Sequence, residues 1–191
     1  RGMKLNFNQK AFDTYRNMYH AFGLGVETGI DLPSESIGYG AKEDTNSGNL
    51  LDFVMGQYES YTPLQLSQYI TTIANDGSKL VPHLLKEVHQ STEDASLGET
   101  ILTVKKKVLN TIDTKPEYMA RVKEGFYAVM HSAGGYGRGY IDDKWDAAGK
   151  TGTSQSFIDT DGNGIIDTET ITSSFVGYAP ANDPVMTIMV T

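Results

Sequence analysis

The chain has 191 residues, of which 39% are hydrophobic and 21% charged, enough for one domain with a buried core. Its formal charge of −8 argues against a nucleic-acid partner, because phosphate contacts need a lysine and arginine footprint that is not assembled here. No stretch approaches the roughly 18 apolar residues that span a bilayer, Arg1-Gly2-Met3-Lys4-Leu5 holds no apolar signal core, and the lack of cysteine fits exported and cytosolic proteins alike.

Asn8 is placed to cap a helix in which Phe12, Tyr15, Met18 or Tyr19, and Phe22 recur at helical spacing up to Gly23. Residues 22 to 35 contain three glycines and a proline, so they form a loop, pinned to the body through Leu24, Val26, Ile30 and Leu32. Residues 38 to 49 are polar and rich in glycine, serine and asparagine, as in an exposed loop. Thr62-Pro63-Leu64-Gln65 is a helix start with a capping box, and the helix runs through Leu66, Tyr69, Ile70 and Ile73 to a left-handed stop at Asn75-Asp76-Gly77.

Residues 79 to 88 predict a strand broken by Pro82, and 90 to 98 a polar turn. Residues 101 to 112 alternate loosely around Lys105-Lys106-Lys107, a solvated surface run in so acidic a chain. Thr114, Pro116 and Glu117 open a third helix with Met119, Val122, Phe126 and Val129 or Met130 as its inner stripe, and His131 suits its C-terminal end. Residues 136 to 140 are glycine-rich but lack the phosphate-loop spacing, so they read as a turn. The last third predicts three antiparallel strands at 147 to 157, 171 to 178 and 185 to 190, with Asp183-Pro184 turning between the last two.

Two stretches carry candidate chemistry. Ala148-Gly149-Lys150-Thr151-Gly152-Thr153-Ser154-Gln155 gathers a cation, hydroxyls and glycines. On a strand, Lys150 and Gly152 would face one way and Thr151 and Thr153 the other. A bare glycine on an edge strand marks close approach by a ligand, and a backbone N–H beside it can reach a developing oxyanion at little steric cost. The triplet alone is a weak signal and better fits a glycine-containing strand with a surface lysine. The second stretch, residues 159 to 167, matches the start of a calcium loop, with Asp159, Asp161, Asn163 and Asp167 as donors. Its twelfth position is Thr170 and not the usual glutamate, although Glu169 is adjacent, and its Asp-Gly and Asn-Gly pairs, the strongest hairpin signals, favour a plain turn between two strands. Any calcium there would be structural, and no cofactor is required.

Lys150-Thr151-Gly152-Thr153, the loop from Gly23-Leu24-Gly25 to Leu32-Pro33, Gly56-Gln57, the Thr62 helix ending in Ile73-Ala74-Asn75-Asp76-Gly77, and Val176-Gly177-Tyr178-Ala179-Pro180 stand in the same order as in class B penicillin-binding proteins. The chain therefore resembles the C-terminal half of their transpeptidase domain. That resemblance implies an α/β (α+β) fold of the penicillin-binding protein and serine β-lactamase type, an antiparallel sheet flanked by helices, with residues 1 to 191 as an incomplete part of one domain. The family's Ser-x-x-Lys occurs nowhere in the chain. Ser47-Gly48-Asn49 spells Ser-x-Asn, but it follows a helix that the family's triplet precedes, so it reads as a decoy. The nucleophile is expected upstream of Arg1, and the fragment alone is expected to be inactive.

By resemblance, the activity is D,D-transpeptidation of peptidoglycan stem peptides through an acyl-serine, with β-lactams acylating the same serine. Lys150 would hydrogen-bond the Ser-x-Asn serine. Thr151 and Thr153 would hold the substrate carboxylate, Gly152 and Ser154 would complete the binding wall, and the Thr153 N–H would complete the oxyanion hole. The implied partners are stem peptides, β-lactams, the upstream half of the domain and cell-wall synthesis proteins. The implied place is the outer face of the cytoplasmic membrane, held by an N-terminal anchor. The alternatives are a serine β-lactamase or penicillin sensor, and a non-catalytic binding remnant.

Overall fold

The computed structural model describes residues 9–40 and 47–191, so the cap expected at Asn8 lies outside the described residues. Helix α1, Gln9–Phe22, buries Phe12, which stacks on Phe53 at 5.7 Å between ring centroids. It ends at Gly23 with φ +100°, where Leu24 N–H reaches back to Tyr19 O and Gly23 N–H to His20 O. A side chain at Gly23 would also meet Gln68 Oε1 at 2.3 Å.

Helix α2, Ser47–Met55, corrects the reading of 38 to 49 as one polar loop. Ser47, Gly48 and Asn49 disguise the start, and the element exists because Phe53, fully buried against Phe12, Tyr19 and Tyr58, anchors a short helix whose residues 48 to 50 are half-buried and whose 51, 52, 54 and 55 are exposed. The Ser-x-Asn look-alike thus forms a helix start.

Helix α3, Pro63–Ala74, opens with the expected capping box: Gln65 N–H donates to Thr62 Oγ1 at 3.2 Å, and Thr62 N–H donates to Gln65 Oε1 at 3.0 Å. Its left-handed stop falls on Asp76, φ 52°, one residue before Gly77, φ +89°. Leu24 is buried, as the pinned loop requires, and polar side chains of α3 hold the same loop by its backbone. Gln65 donates to Val26 O at 2.8 Å, and Gln68 to Thr28 O and Leu80 O at 3.0 and 2.8 Å. Leu32 is exposed, and Asp31 beside it accepts from Leu84 and Leu85 N–H.

The strand expected at 79 to 88 is two, β1 Ser78–Leu80 and β2 Glu87–His89, and the 101 to 112 stretch is likewise β3 Thr100–Thr103 and β4 Val108–Thr111. Pro82, without an N–H, and the lysine run interrupt them, and the pieces pair as two ribbons, β1 with β4 and β2 with β3. Helix α4, Pro116–His131, has Lys115 and not Thr114 at its N-cap. It buries Met119, Phe126 and Met130 but leaves Val122 exposed. Its last residue does more than suit the dipole, because His131 Nε2 donates to Ala147 O at 2.9 Å and ties α4 to the strand that follows.

That strand is β5, Ala148–Ile158, which pairs antiparallel with β6, Thr168–Ala179, and β6 pairs with β7, Met186–Val190. The core joins Ile70, Ile73 and Ala74 of α3 and Met119 and Phe126 of α4 to Ala148 and Tyr178 of the sheet. Across the sheet, Phe175, Met186 and Ile188 meet Ile141 and Trp145 around a hollow of about 200 Å³.

Candidate active site

In the order β5-β6-β7, β5 is an edge strand. Lys150 pairs with Val176, Thr151 with Phe175, Gly152 with Ser174 and Thr153 with Ser173, so the expected alternation holds. Lys150 and Gly152 lie on the α3 side, while Thr151 and Thr153 share the other side with Phe175. The glycines answer to their cross-strand neighbours: a Cβ on Gly152 would sit 2.5 Å from Ser174 Oγ, and one on Gly149 would sit 2.4 Å from Phe175 Cζ. The bare surface that sequence reasoning ascribed to an approaching ligand is therefore also set by packing from β6.

The backbone direction follows from two contacts. Gln57 Nε2 lies 3.5 Å from Thr153 O, and Lys150 Nζ donates to Thr151 O. Both carbonyls therefore point away from β6. In an antiparallel strand the N–H and C=O of one residue point the same way, so the N–H groups of Thr151 and Thr153 line the unpaired edge too. Ser154 pairs with Thr172 and turns its backbone toward β6, which places it beside the edge groups and not among them.

Three openings converge on this edge. One of about 520 Å³ is lined by Lys150 and Gly152 together with Met18, Phe22, Val54 and Val122. A second, of about 390 Å³, lies between Gly56, Gln57 and Ser60 on one wall and Thr153, Ser154 and Gln155 on the other. The third, about 470 Å³, places Thr151 and Thr153 below Tyr136, Tyr140 and Ile141. The wall facing β5 is stiffened by the Arg16–Glu59 ion pair at 2.7 Å, with the Glu59 side chain only 4% exposed. Tyr61 donates its hydroxyl to Glu59, and burial, then that carboxylate, pushes the phenol well above its usual range. Lys150 is exposed, so its cation stands at the groove in water, with its hydrogen bond to the Thr151 carbonyl.

The donors expected of a calcium loop are placed by the β5–β6 turn. Asp159 accepts from Gly162 and Gly164 N–H, both at 2.8 Å, and the Gly164 N–H contributes most to holding its carboxyl below the usual range. Asp161 accepts from Asn163 N–H and Nδ2, Asn163 Oδ1 from Ile165 N–H, and Asp167 from the Thr168 hydroxyl. Among the described residues, no group of three or more His, Cys, Asp or Glu side chains is placed to hold a metal ion.

Gln57, Ser174, Phe175, Tyr136 and Tyr140 border the site without having been singled out for it. Gly56-Gln57 was visible only as a block of the resemblance, and Phe175 could have been found by pairing the strands outward from the turn. An antiparallel sheet with an exposed lysine, two threonines and unpaired amides on its edge strand, backed by helices on one face, defines a penicillin-binding or β-lactamase-like domain.

The family described as the penicillin binding protein transpeptidase domain matches residues 3–191, and the chain belongs to it. It is similar to penicillin-binding protein 2A of Bacillus subtilis, 43% identical over 97% of this chain and 26% of that protein. It is also 30% identical to peptidoglycan D,D-transpeptidase MrdA of Acinetobacter baumannii, over 96% of this chain and 28% of that one. Among solved structures, penicillin-binding protein 2B of Streptococcus pneumoniae superposes with a TM-score of 0.84 at 30% identity, over 98% of this chain and 30% of that one. The chain thus spans about a quarter of the length of these relatives.

Proposed function

We propose that this chain supplies the Lys-Thr-Gly wall of a peptidoglycan D,D-transpeptidase that cross-links stem peptides through an acyl-serine and is acylated by β-lactams. The observation that carries the reading is the unpaired edge of β5, where the N–H and C=O groups of Thr151 and Thr153 open into a groove beside Lys150. In this mechanism a serine donated by sequence upstream of residue 1 attacks the penultimate carbonyl of a D-Ala-D-Ala-type terminus. Negative charge then develops on that oxygen, and the outward Thr153 N–H stabilises it. The C–N bond breaks, the terminal residue leaves with a proton, and an amine from a neighbouring stem peptide attacks the ester to restore the serine.

Lys150 keeps the groove positive for the substrate carboxylate, and the Thr151 and Thr153 hydroxyls hold it. The substrate polymer places this work at the outer face of the cytoplasmic membrane, with cell-wall synthesis proteins as neighbours. The test is incubation of the full-length protein carrying this sequence with a fluorescent penicillin. A covalent adduct stable over many minutes is expected. An adduct that forms and hydrolyses rapidly would make the protein a β-lactamase, and no adduct at all would overturn the reading.

A further inference from the structure

We propose that Gln57 is a positioning residue for acyl transfer, acting through the Thr153 carbonyl on the aim of the Thr153 N–H; the inference rests on the transpeptidase reading above. Gln57 follows directly on α2, which closes with Gly56 N–H on Phe53 O at 3.0 Å and Gln57 N–H on Asp52 O at 2.9 Å. Gly56 has φ +83° and no atom within 4 Å of a Cβ built on it, so the glycine is there for its backbone conformation and not for space. That turn fixes the backbone of Gln57 and sends its side chain across the groove to a strand 96 residues further along the chain.

The contact joins the two walls of the 390 Å³ opening at the residue expected to stabilise the oxyanion. At 3.5 Å it is long, and such site contacts often tighten only when the reacting complex forms. Geometry explains why a carbonyl contact matters to an N–H. The Thr153 carbonyl belongs to the peptide plane after its Cα and the N–H to the plane before it. Neither group itself makes a ladder bond; the Gly152 carbonyl and the Ser154 N–H in the same two planes face β6, so the Gln57 contact restrains the outer end of a unit that the ladder holds only at its inner end. The carbonyl has a second lone pair, which leaves it able to accept an amide N–H of an extended donor laid along the edge.

The test uses the full-length protein with Gln57→Ala and Gln57→Glu, the second keeping the side-chain length but offering a carboxylate with no N–H at neutral pH. Fluorescent-penicillin acylation is followed over a concentration series to separate the limiting rate from the half-saturating concentration, with melting temperatures measured in parallel. Both variants are expected to lower the limiting rate about tenfold, the scale of one net hydrogen bond, with half-saturation within about twofold of wild type and melting unchanged. Wild-type rates in both variants would overturn the inference, as would a Gln57→Glu enzyme that matches wild type while Gln57→Ala does not. A change confined to half-saturation, or one that tracks a fall in melting temperature, would overturn it too. A wild-type protein that fails to acylate would instead remove the underlying transpeptidase reading.

Discussion

At Thr153 a single residue presents a hydroxyl to one face of the sheet and both backbone polar groups to its free edge. These roles separate by substitution. Thr153→Ala removes the hydroxyl and keeps the N–H, whereas Thr153→Pro removes both but sits on an edge whose N–H makes no ladder bond, one of the few strand positions that tolerate proline. The preceding residue, Gly152, is already extended, as a proline requires. We expect Thr153→Ala to weaken penicillin capture modestly. Thr153→Pro should slow acylation by about 2.7 to 4 kcal/mol of barrier, on the order of a hundred- to a thousandfold, with a cooperative melt retained. Equal acylation rates for the two variants would show that the N–H does not serve the oxyanion.

Among the elements, α3 does the most to hold the site's surroundings together, and it does so with amides. Gln65 is fully buried, accepts from Thr62 N–H, and donates to Val26 O. Gln65→Leu keeps the volume but leaves that N–H and that carbonyl without their partner. At about 1 to 3 kcal/mol for each buried group left unsatisfied, the expected loss in a urea melt is roughly 2 to 6 kcal/mol. A loss below about 0.5 kcal/mol, the level of an exposed surface change, would contradict the role. The capping half of this duty was legible, because Thr-Pro-Leu-Gln is a local signal that needs only its own turn. The Val26 half was not: a glutamine bonding 39 residues away looks in sequence like any solvated glutamine. The same limit explains the other differences. The three sheet strands showed their periodicity and were placed within three residues. Helix α2 depends on Phe53 meeting Phe12, and the β1–β4 ribbon on a partner some 30 residues away, so neither could be read locally.

For the molecule as a whole, the joint between the helices and the sheet is Tyr178. It is 2% exposed, pairs with Ala148 across β5–β6, and lies 6.4 Å from the Phe126 ring of α4. Burial, helped by the Asp76 charge, pushes its phenol up to about 12 from an ordinary 10. The fold therefore favours the neutral phenol. Its contribution to stability is complete below pH 10, where folded and unfolded forms both keep the proton. It falls away between pH 10 and about 12, where the unfolded chain ionises first. Burial also raises Tyr19, Tyr61 and Tyr69, so several phenols pull stability down in the same alkaline range. Lys79 works the other way. It is buried, with Nζ on His20 O, and desolvation lowers its pKa, so it releases its proton in the folded state first and adds stability as pH climbs toward 10.5. The three other tyrosines and this lysine are common to wild type and Tyr178→Phe, which keeps the ring and its packing and removes one ionisable hydroxyl. Urea melts from pH 8 to 12 should therefore show a decline above pH 10 that is shallower in Tyr178→Phe, with the two curves parallel below it. Equal slopes above pH 10 would mean that the Tyr178 hydroxyl reaches water in the folded protein, and that the joint between α4 and the sheet is looser than its burial indicates.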